Sequence, residues 1–232
     1  MVSLVSERLN EPWRRRLLLP TYQISEAANY ARVAPQTVIA WHKIEAALLK
    51  QRDKRSALNY MQLIEVAVVA AFRKAGVPMP RIRKARAYAA HELKSEFPFA
   101  EYGFKENGKH LFLDSAQIDV KSGTALSADQ HGQLAWESVI GRLREFDYEK
   151  EGIVLRWHVA GPASPIIIDP RISFGAPAIK GTPTWIIRGR YDAGESDSDI
   201  ADDFGIKKDE VREALKFEGA LPGGRIKSLR LH

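Results

Sequence analysis

Between Ile24 and Trp41 the small and apolar residues fall at the spacing that closes a helix-turn-helix. With Ile24 as motif position 1, Ala27, Ala31, Val33, Val38 and Trp41 take positions 4, 8, 10, 15 and 18, which face a tri-helical core. Ala28 takes position 5, where the two helices cross and a longer side chain would force them apart. Ser25 is expected to N-cap the first helix, and Pro35 suits the first turn of the second. Gln36 and Thr37 then point outward at the end that meets base edges when such a helix enters the major groove. Arg32 holds the turn position that usually takes glycine, so a differently built turn is expected there. An ordinary helical hairpin would show the same spacing.

Charge sharpens the choice. The 232 residues carry a net charge of +6, and its placement is uneven. Residues 1–55 hold ten Lys and Arg against five Asp and Glu, while the rest of the chain is nearly balanced. Excess positive charge on the segment that holds the helix-turn-helix is the footprint of a phosphate-binding surface, or of a solvated basic face. Arg14, Arg15, Arg16, Lys54 and Arg55 are the expected phosphate contacts, with Gln36, Thr37 and Lys43 on or near the recognition helix.

The length is comfortable for two domains, and 45% hydrophobic residues permit real cores. With no cysteine, disulfides and Cys-based zinc sites are excluded, which fits a cytoplasmic setting. The N-terminus does not read as a signal peptide, and the longest apolar run, Val66 to Phe72, is too short to span a bilayer.

After the motif, Ile44 to Arg55 reads as a helix extension or a wing-like connection lying on DNA. Asn59 is expected to cap an apolar helix with Gln62 in the capping-box position, and Gly76 to end it. Leu63, Ile64, Ala67, Ala70 and Ala71 form its apolar face. A further helix runs from about Pro80 to Leu93, with Ile82 inward and Arg81, Arg83, Lys84 and Arg86 crowding its first turns. Cations at a helix N-terminus oppose the macrodipole, which suggests an acidic partner. Lys109 to Asp114 and Gln117 to Lys121 alternate like a hairpin, Gln133 to Phe146 like an amphipathic helix, and Ile153 to Val159 like a strand. Gly161-Pro162-Ala163-Ser164-Pro165 is the expected linker between domains.

Beyond it, a strand at Ile166 to Ile168 leads into a turn-rich section ending in Trp185-Ile186-Ile187. From Asp197 the helix-turn-helix spacing returns through Ile200, Ala201, Phe204, Gly205, Ile206, Val211 and Ala214. Glu195, Asp197, Asp199, Asp202 and Asp203 would repel phosphates, so this copy reads as a packing or partner-binding module. Shared spacing follows from the geometry of a tri-helical core, and no duplication is inferred.

Catalytic chemistry is not apparent. His42, His91, His110, His131, His158 and His232 are scattered, and no nucleophile elbow, Gly-rich phosphate loop or dinucleotide fingerprint occurs. No enzyme activity, cofactor or metal is expected.

Ile168-Asp169-Pro170-Arg171, Gly175-Ala176-Pro177-Ala178-Ile179-Lys180-Gly181-Thr182 and Ala193-Gly194-Glu195-Ser196, with the helices after them, resemble a small domain of unknown function known from VapB-type antitoxins. Pro183 departs from that family's pattern, which often has Arg after its Gly-Thr pair. Tyr22 to Lys43, with Asn59 to Glu65 and Gly76 to Tyr88, resembles the MerR-like winged helix-turn-helix.

The expected fold is therefore α+β and mainly helical. Residues 1–160 form the MerR-like domain with its helical and β extension, 166–218 the small tri-helical domain with short strands, and 219–232 a basic tail. The resemblance implies an antitoxin that neutralises a PIN-domain ribonuclease toxin and represses its own operon by binding operator DNA; a homodimer is expected because operators read by helix-turn-helix proteins are usually pseudo-palindromic. The surface around Tyr60 to Phe72 or that around Phe174 to Trp185 would supply the dimer contact. Arg225, Lys227 and Arg230 in the tail would meet the carboxylates of the toxin. The alternative is a stand-alone MerR-like regulator responding to a small molecule or another protein.

Overall fold

The computed structural model describes residues 12–42, 57–74, 76–101, 144–149 and 153–222. The chain divides into two units, Met1–Leu155 and Arg156–His232. Both helices and strands occur, so the class is α+β.

In the first unit, α1 (Pro12–Arg16) precedes a two-residue strand, β1 (Tyr22–Gln23), which runs straight into α2 (Ile24–Ala31). Gln23 rather than Ser25 is the N-cap of α2. Extended at the end of β1, it already breaks the helical conformation, and its backbone N–H donates to Glu26 Oε2 at 2.7 Å. Ser25 therefore lies inside the first turn. Helix α3 spans Pro35–His42, and β2 (Ala57–Leu58) returns to pair antiparallel with β1, Tyr22 opposite Leu58. The connection expected to act as a wing lies outside the described residues.

Asn59 and Gln62 form the expected capping box of α4 (Tyr60–Lys74): each backbone N–H donates to the other side chain, at 3.0 and 2.8 Å. The helix is buried from Tyr60 to Phe72 except at Gln62, so it is the core of the unit rather than an amphipathic wall. That removes Tyr60–Phe72 as a surface for dimer contact. Gly76 (φ 85°) then turns the chain, with the Val77 N–H closing onto Phe72 O. Helix α5 (Met79–Leu93) ends at Lys94 in the left-handed region, and α6 (Pro98–Glu101) places Phe99 6.0 Å from the Phe72 ring.

Two expectations change near the boundary. Phe146 opens β3 (Phe146–Tyr148) instead of closing a helix from Gln133. Its side chain is buried and Asp147 exposed, the two-residue period of a strand. The expected hairpin at 109–121 and most of that helix lie outside the described residues. The supposed linker Gly161–Pro165 is instead the loop joining β4 (Val154–His158) to β5 (Ile167–Ile168), which pair antiparallel with Trp157 opposite Ile168. The division between the units falls earlier, at Leu155 and Arg156.

Strands β6 (Ala178–Ile179) and β7 (Thr182–Pro183) complete a sheet in the order β3-β4-β5-β6-β7. Three helices follow in the second unit: α7 (Thr184–Asp192), α8 (Asp197–Phe204) and α9 (Lys208–Phe217). Helix α7 replaces the expected end of the turn-rich section, because Thr184 and Ile187 are buried three residues apart while Trp185 is exposed. Of the spacing expected from Asp197 onward, Ile200, Ala201, Ile206, Val211 and Ala214 are buried, Phe204 is half-buried, and Gly205 (φ 62°) makes the turn between α8 and α9.

Candidate nucleic-acid interface and C-terminal module

The α2–turn–α3 segment is built from small residues for a physical reason. Ala27, Ala28 and Ala31 are at most 2% exposed, so α3 lies close, and Val38 and Trp41 are buried on its inner side. Arg32 occupies the left-handed region (φ 59°), its N–H donating to Asn29 O while that of Val33 donates to Ala28 O at 3.0 Å. The turn is thus built as glycine would build it, with an arginine bearing the strain. The differently built turn expected from Arg32 does not occur.

Two contacts fix α3 from behind. Trp41 stacks on Phe99 at 6.3 Å, so this tryptophan is core. Arg83 of α5 donates to Ala40 O at 2.8 Å, tying the second half of α3 to the neighbouring helix. Arg86, one turn on, grips Glu65, whose carboxylate is 1% exposed, at 2.8 Å. The acidic partner suggested by the α5 cations therefore lies, for Arg86, within the unit. Sequence reasoning missed both roles; the signal was the cluster of cations placed against the helix dipole.

On the outer side of α3, Pro35, Gln36 and Ile39 are exposed and Thr37 is half-buried. Of the arginine run, Arg15 is exposed and Arg16 half-buried. Arg14 is the correction: it is 7% exposed and pairs with Glu149 at 2.9 Å, because α1 turns this face inward together with Leu17. It is not free to follow a phosphate backbone. Lys43, Lys54 and Arg55, and Arg225, Lys227 and Arg230 in the tail, lie outside the described residues.

The second unit pairs part of its acidic cluster with its own arginines. Arg190 of α7 pairs with both Glu195 and Asp203 and lies over the Phe204 ring at 5.1 Å; the hydrogen bond to Glu195, then that to Asp203, raises its pKa. Arg212 pairs with Asp197 at 2.9 Å, and Ser196 caps α8 through the Asp199 N–H. Among the described residues no group of His, Asp and Glu is arranged to hold a metal ion. Asp169, 2% exposed, takes Arg171 at 2.6 Å and Arg156 at 3.2 Å. Burial pushes its carboxyl pKa up, but the Arg171 hydrogen bonds and charge, with Arg156, hold it below the usual value. Glu218 shows the reverse: burial raises it despite the Thr184 hydroxyl donating at 2.5 Å.

The family described as "Protein of unknown function (DUF433)" matches residues 166–217, the segment of β5 to α9. A protein of Mycobacterium tuberculosis named "Putative antitoxin VapB45" is 24% identical over 231 residues, covering 86% of this chain and 94% of its own. The chain is thus similar to a putative VapB-type antitoxin over most of its length. The crystal structure of Rv2018 from Mycobacterium tuberculosis has the same fold, with a TM-score of 0.64 and 21% identity over 86% of this chain and 99% of that one. The VapB-type likeness thus extends well beyond the small C-terminal module into the helix-turn-helix unit. No helix among the described residues is long and apolar enough to cross a membrane.

Proposed function

We propose that this chain is an antitoxin that binds operator DNA through its first unit and neutralises a PIN-domain ribonuclease toxin. The observation that carries the DNA half is the α2–turn–α3 geometry. Gln36 stands exposed at the start of a helix whose inner side is fixed by Trp41, Phe99 and Arg83. A rigidly held helix with polar residues at its exposed N-terminal end suits major-groove reading. Arg15, Arg16, Lys54 and Arg55 supply sequence-independent phosphate contacts, while Gln36, Thr37 and Lys43 discriminate bases.

The toxin half rests on the relative named as an antitoxin and on the arginines of the tail. A nuclease that holds metal ions with carboxylates presents a strongly acidic site. Guanidinium groups of Arg225 and Arg230, with Lys227, complement it. The MerR-like winged form and a cytoplasmic location belong to this same reading.

The test pairs two measurements on the full chain. Binding to the promoter of its own operon is measured by fluorescence anisotropy for wild type and for the Gln36→Ala/Thr37→Ala/Lys43→Ala variant. Nuclease activity of the co-expressed toxin is measured with and without residues 223–232. Full operator affinity in the triple variant would overturn the DNA assignment. Undiminished neutralisation and affinity after truncation would remove the tail from the toxin contact.

A further inference from the structure

We propose that residues 223–232 fold back onto the outer face of α7 and cover the apolar surface that the second unit leaves open. Ile172 (40% exposed), Phe174 (74%) and Trp185 (61%) make that surface. Ser173 Oγ donates to Gly181 O at 2.8 Å and Ile172 borders Gly181, so the 172–174 turn sits beside the strand pair that leads into α7. Ser173 (φ 47°) and Phe174 (φ 54°) are consecutive left-handed residues, a conformation that side-chain-bearing residues rarely adopt. The strain holds the ring out in solvent rather than in the core. Along α7, Trp185, Gly189 and Asp192 recur at helical spacing and share one stripe. The stripe offers an aromatic knob, a notch where a Cβ would meet nothing within 4 Å, and a carboxylate that is 52% exposed.

Where the chain leaves the unit points to the occupant. The C-cap of α9, Glu218, is fastened to α7 on either side of Trp185. Thr184 Oγ1 donates to Glu218 Oε1 at 2.5 Å, and Arg188 Nη1 donates to Glu218 O at 3.0 Å. Gly219 (φ 74°) then reverses the chain, with the Ala220 N–H closing onto Leu215 O at 2.8 Å. The tail therefore starts within about 10 Å, one helix diameter, of Trp185. At up to about 3.3 Å per residue, the span from Pro222 to Ile226 reaches that ring, and Leu229 and Leu231 reach the 172–174 turn.

Composition and size agree with this occupant. The tail brings Ile226, Leu229 and Leu231 to an apolar face, and Gly223-Gly224 supplies a joint. Residues 156–222 hold nine Lys and Arg against eleven Asp and Glu, whereas the tail holds Arg225, Lys227 and Arg230 and no carboxylate. Attraction between the two follows. The apolar patch offers on the order of 400 Å², about half of what one partner buries in a standard interface, which is little to hold a separate molecule. A tethered segment meets the same patch at an effective concentration in the millimolar range, so a small contact suffices. The docking does not depend on what DNA or toxin the chain binds. Only its consequence rests on the antitoxin reading: an acidic toxin site would meet cations already laid out on a surface, with less chain entropy left to lose.

The experiment uses the full chain at low micromolar concentration, without toxin or DNA. Because the chain has no cysteine, Gly189→Cys/Ile226→Cys reports docking as the fraction of intramolecular disulfide formed in a glutathione buffer. Its reference is Asp202→Cys/Ile226→Cys, whose first position is exposed on α8. The Gly189 pair is expected to close roughly tenfold more readily. Trypsin gives a second reading on the cysteine-free chain, through release of the tail at Arg225, Lys227 and Arg230 followed by mass spectrometry. Release is expected to quicken roughly tenfold in Trp185→Ala and in Ile226→Ser/Leu229→Ser, the second of which leaves the folded unit untouched. Equal closure of the two cysteine pairs, or release rates unchanged in both variants, would overturn the docking. Protection that grows with protein concentration would overturn it and give the face to a second copy. Protection seen only with toxin bound would overturn it and give the face to the toxin.

Discussion

The guanidinium of Arg86 on α5 lies 2.8 Å from the Glu65 carboxylate on α4, and Glu65 is 1% exposed against 20% for Arg86. The arginine also donates to Glu96 O at 2.8 Å, so one side chain ties the core helix both to α5 and to the segment entering α6. Removing the cation would leave a carboxylate with no water to turn to. Arg86→Ala is therefore expected to lower the stability of the first unit by about 3 kcal/mol, measured by urea unfolding. A loss below about 1 kcal/mol would show that solvent reaches Glu65 after all.

Arg14 and Arg15 are neighbours in sequence with opposite expected behaviour. Arg14→Ala should lower the melting temperature, because it breaks the pair with Glu149, and should leave DNA affinity of the folded protein unchanged. Arg15→Ala should leave stability within about 0.5 kcal/mol and weaken binding to all DNA sequences alike. If about six phosphates are neutralised, affinity should fall roughly a thousandfold between low and moderate salt. A melt and a salt titration on both variants decide the matter.

The two helix-turn-helix copies offer a reciprocal exchange. Arg32 and Gly205 share the left-handed conformation, φ 59° and 62°. Arg32→Gly should stabilise its turn by about 0.5–1 kcal/mol, and Gly205→Ala should destabilise its own by about 1 kcal/mol, since only glycine adopts this region without steric cost. Chemical denaturation of the full chain reads both.

Acid should unfold the second unit by way of Asp169. Its pKa is lowered in the fold, so its stabilisation is complete above the unfolded value near about 4 and is lost as pH falls through the folded value. Asp169→Asn should lower stability at pH 7 and flatten this acid limb. Glu218 has the opposite sign. Its pKa is raised, so its contribution is present at low pH and lost as pH rises through the folded value. Glu218→Gln should accordingly be neutral or stabilising at pH 7, as thermal melts across a pH series will show.

Legibility in the sequence followed the locality of the physics. The Asn59–Gln62 box, the left-handed Gly205 and the spacing of Ile200, Ala201, Ile206, Val211 and Ala214 depend on neighbours a few residues away, and each was readable. The family-matched segment was readable for a different reason, its run of Asp169-Pro170-Arg171 and Gly175 to Thr182. What escaped was nonlocal. The inward turn of Arg14 depends on Glu149, 135 residues away, and the anchoring of α3 on Arg83, 43 residues from Ala40. Helix α7 was hidden because Trp185-Ile186-Ile187 reads as the end of a turn-rich section until Thr184 and Ile187 are known to share a buried side.

The pairing of Tyr22 with Leu58 brings the chain back to the doorstep of the helix-turn-helix after residues 43–56. Helices α2 and α3 are held by this pairing and by the Trp41–Phe99 and Arg83–Ala40 contacts, so a change in length within 43–56 falls between two fixed ends and is expected to cost about 0.6 kcal/mol of closure entropy per doubling. Insertions there are therefore expected to leave the helices that hold the rest of the unit together undisturbed.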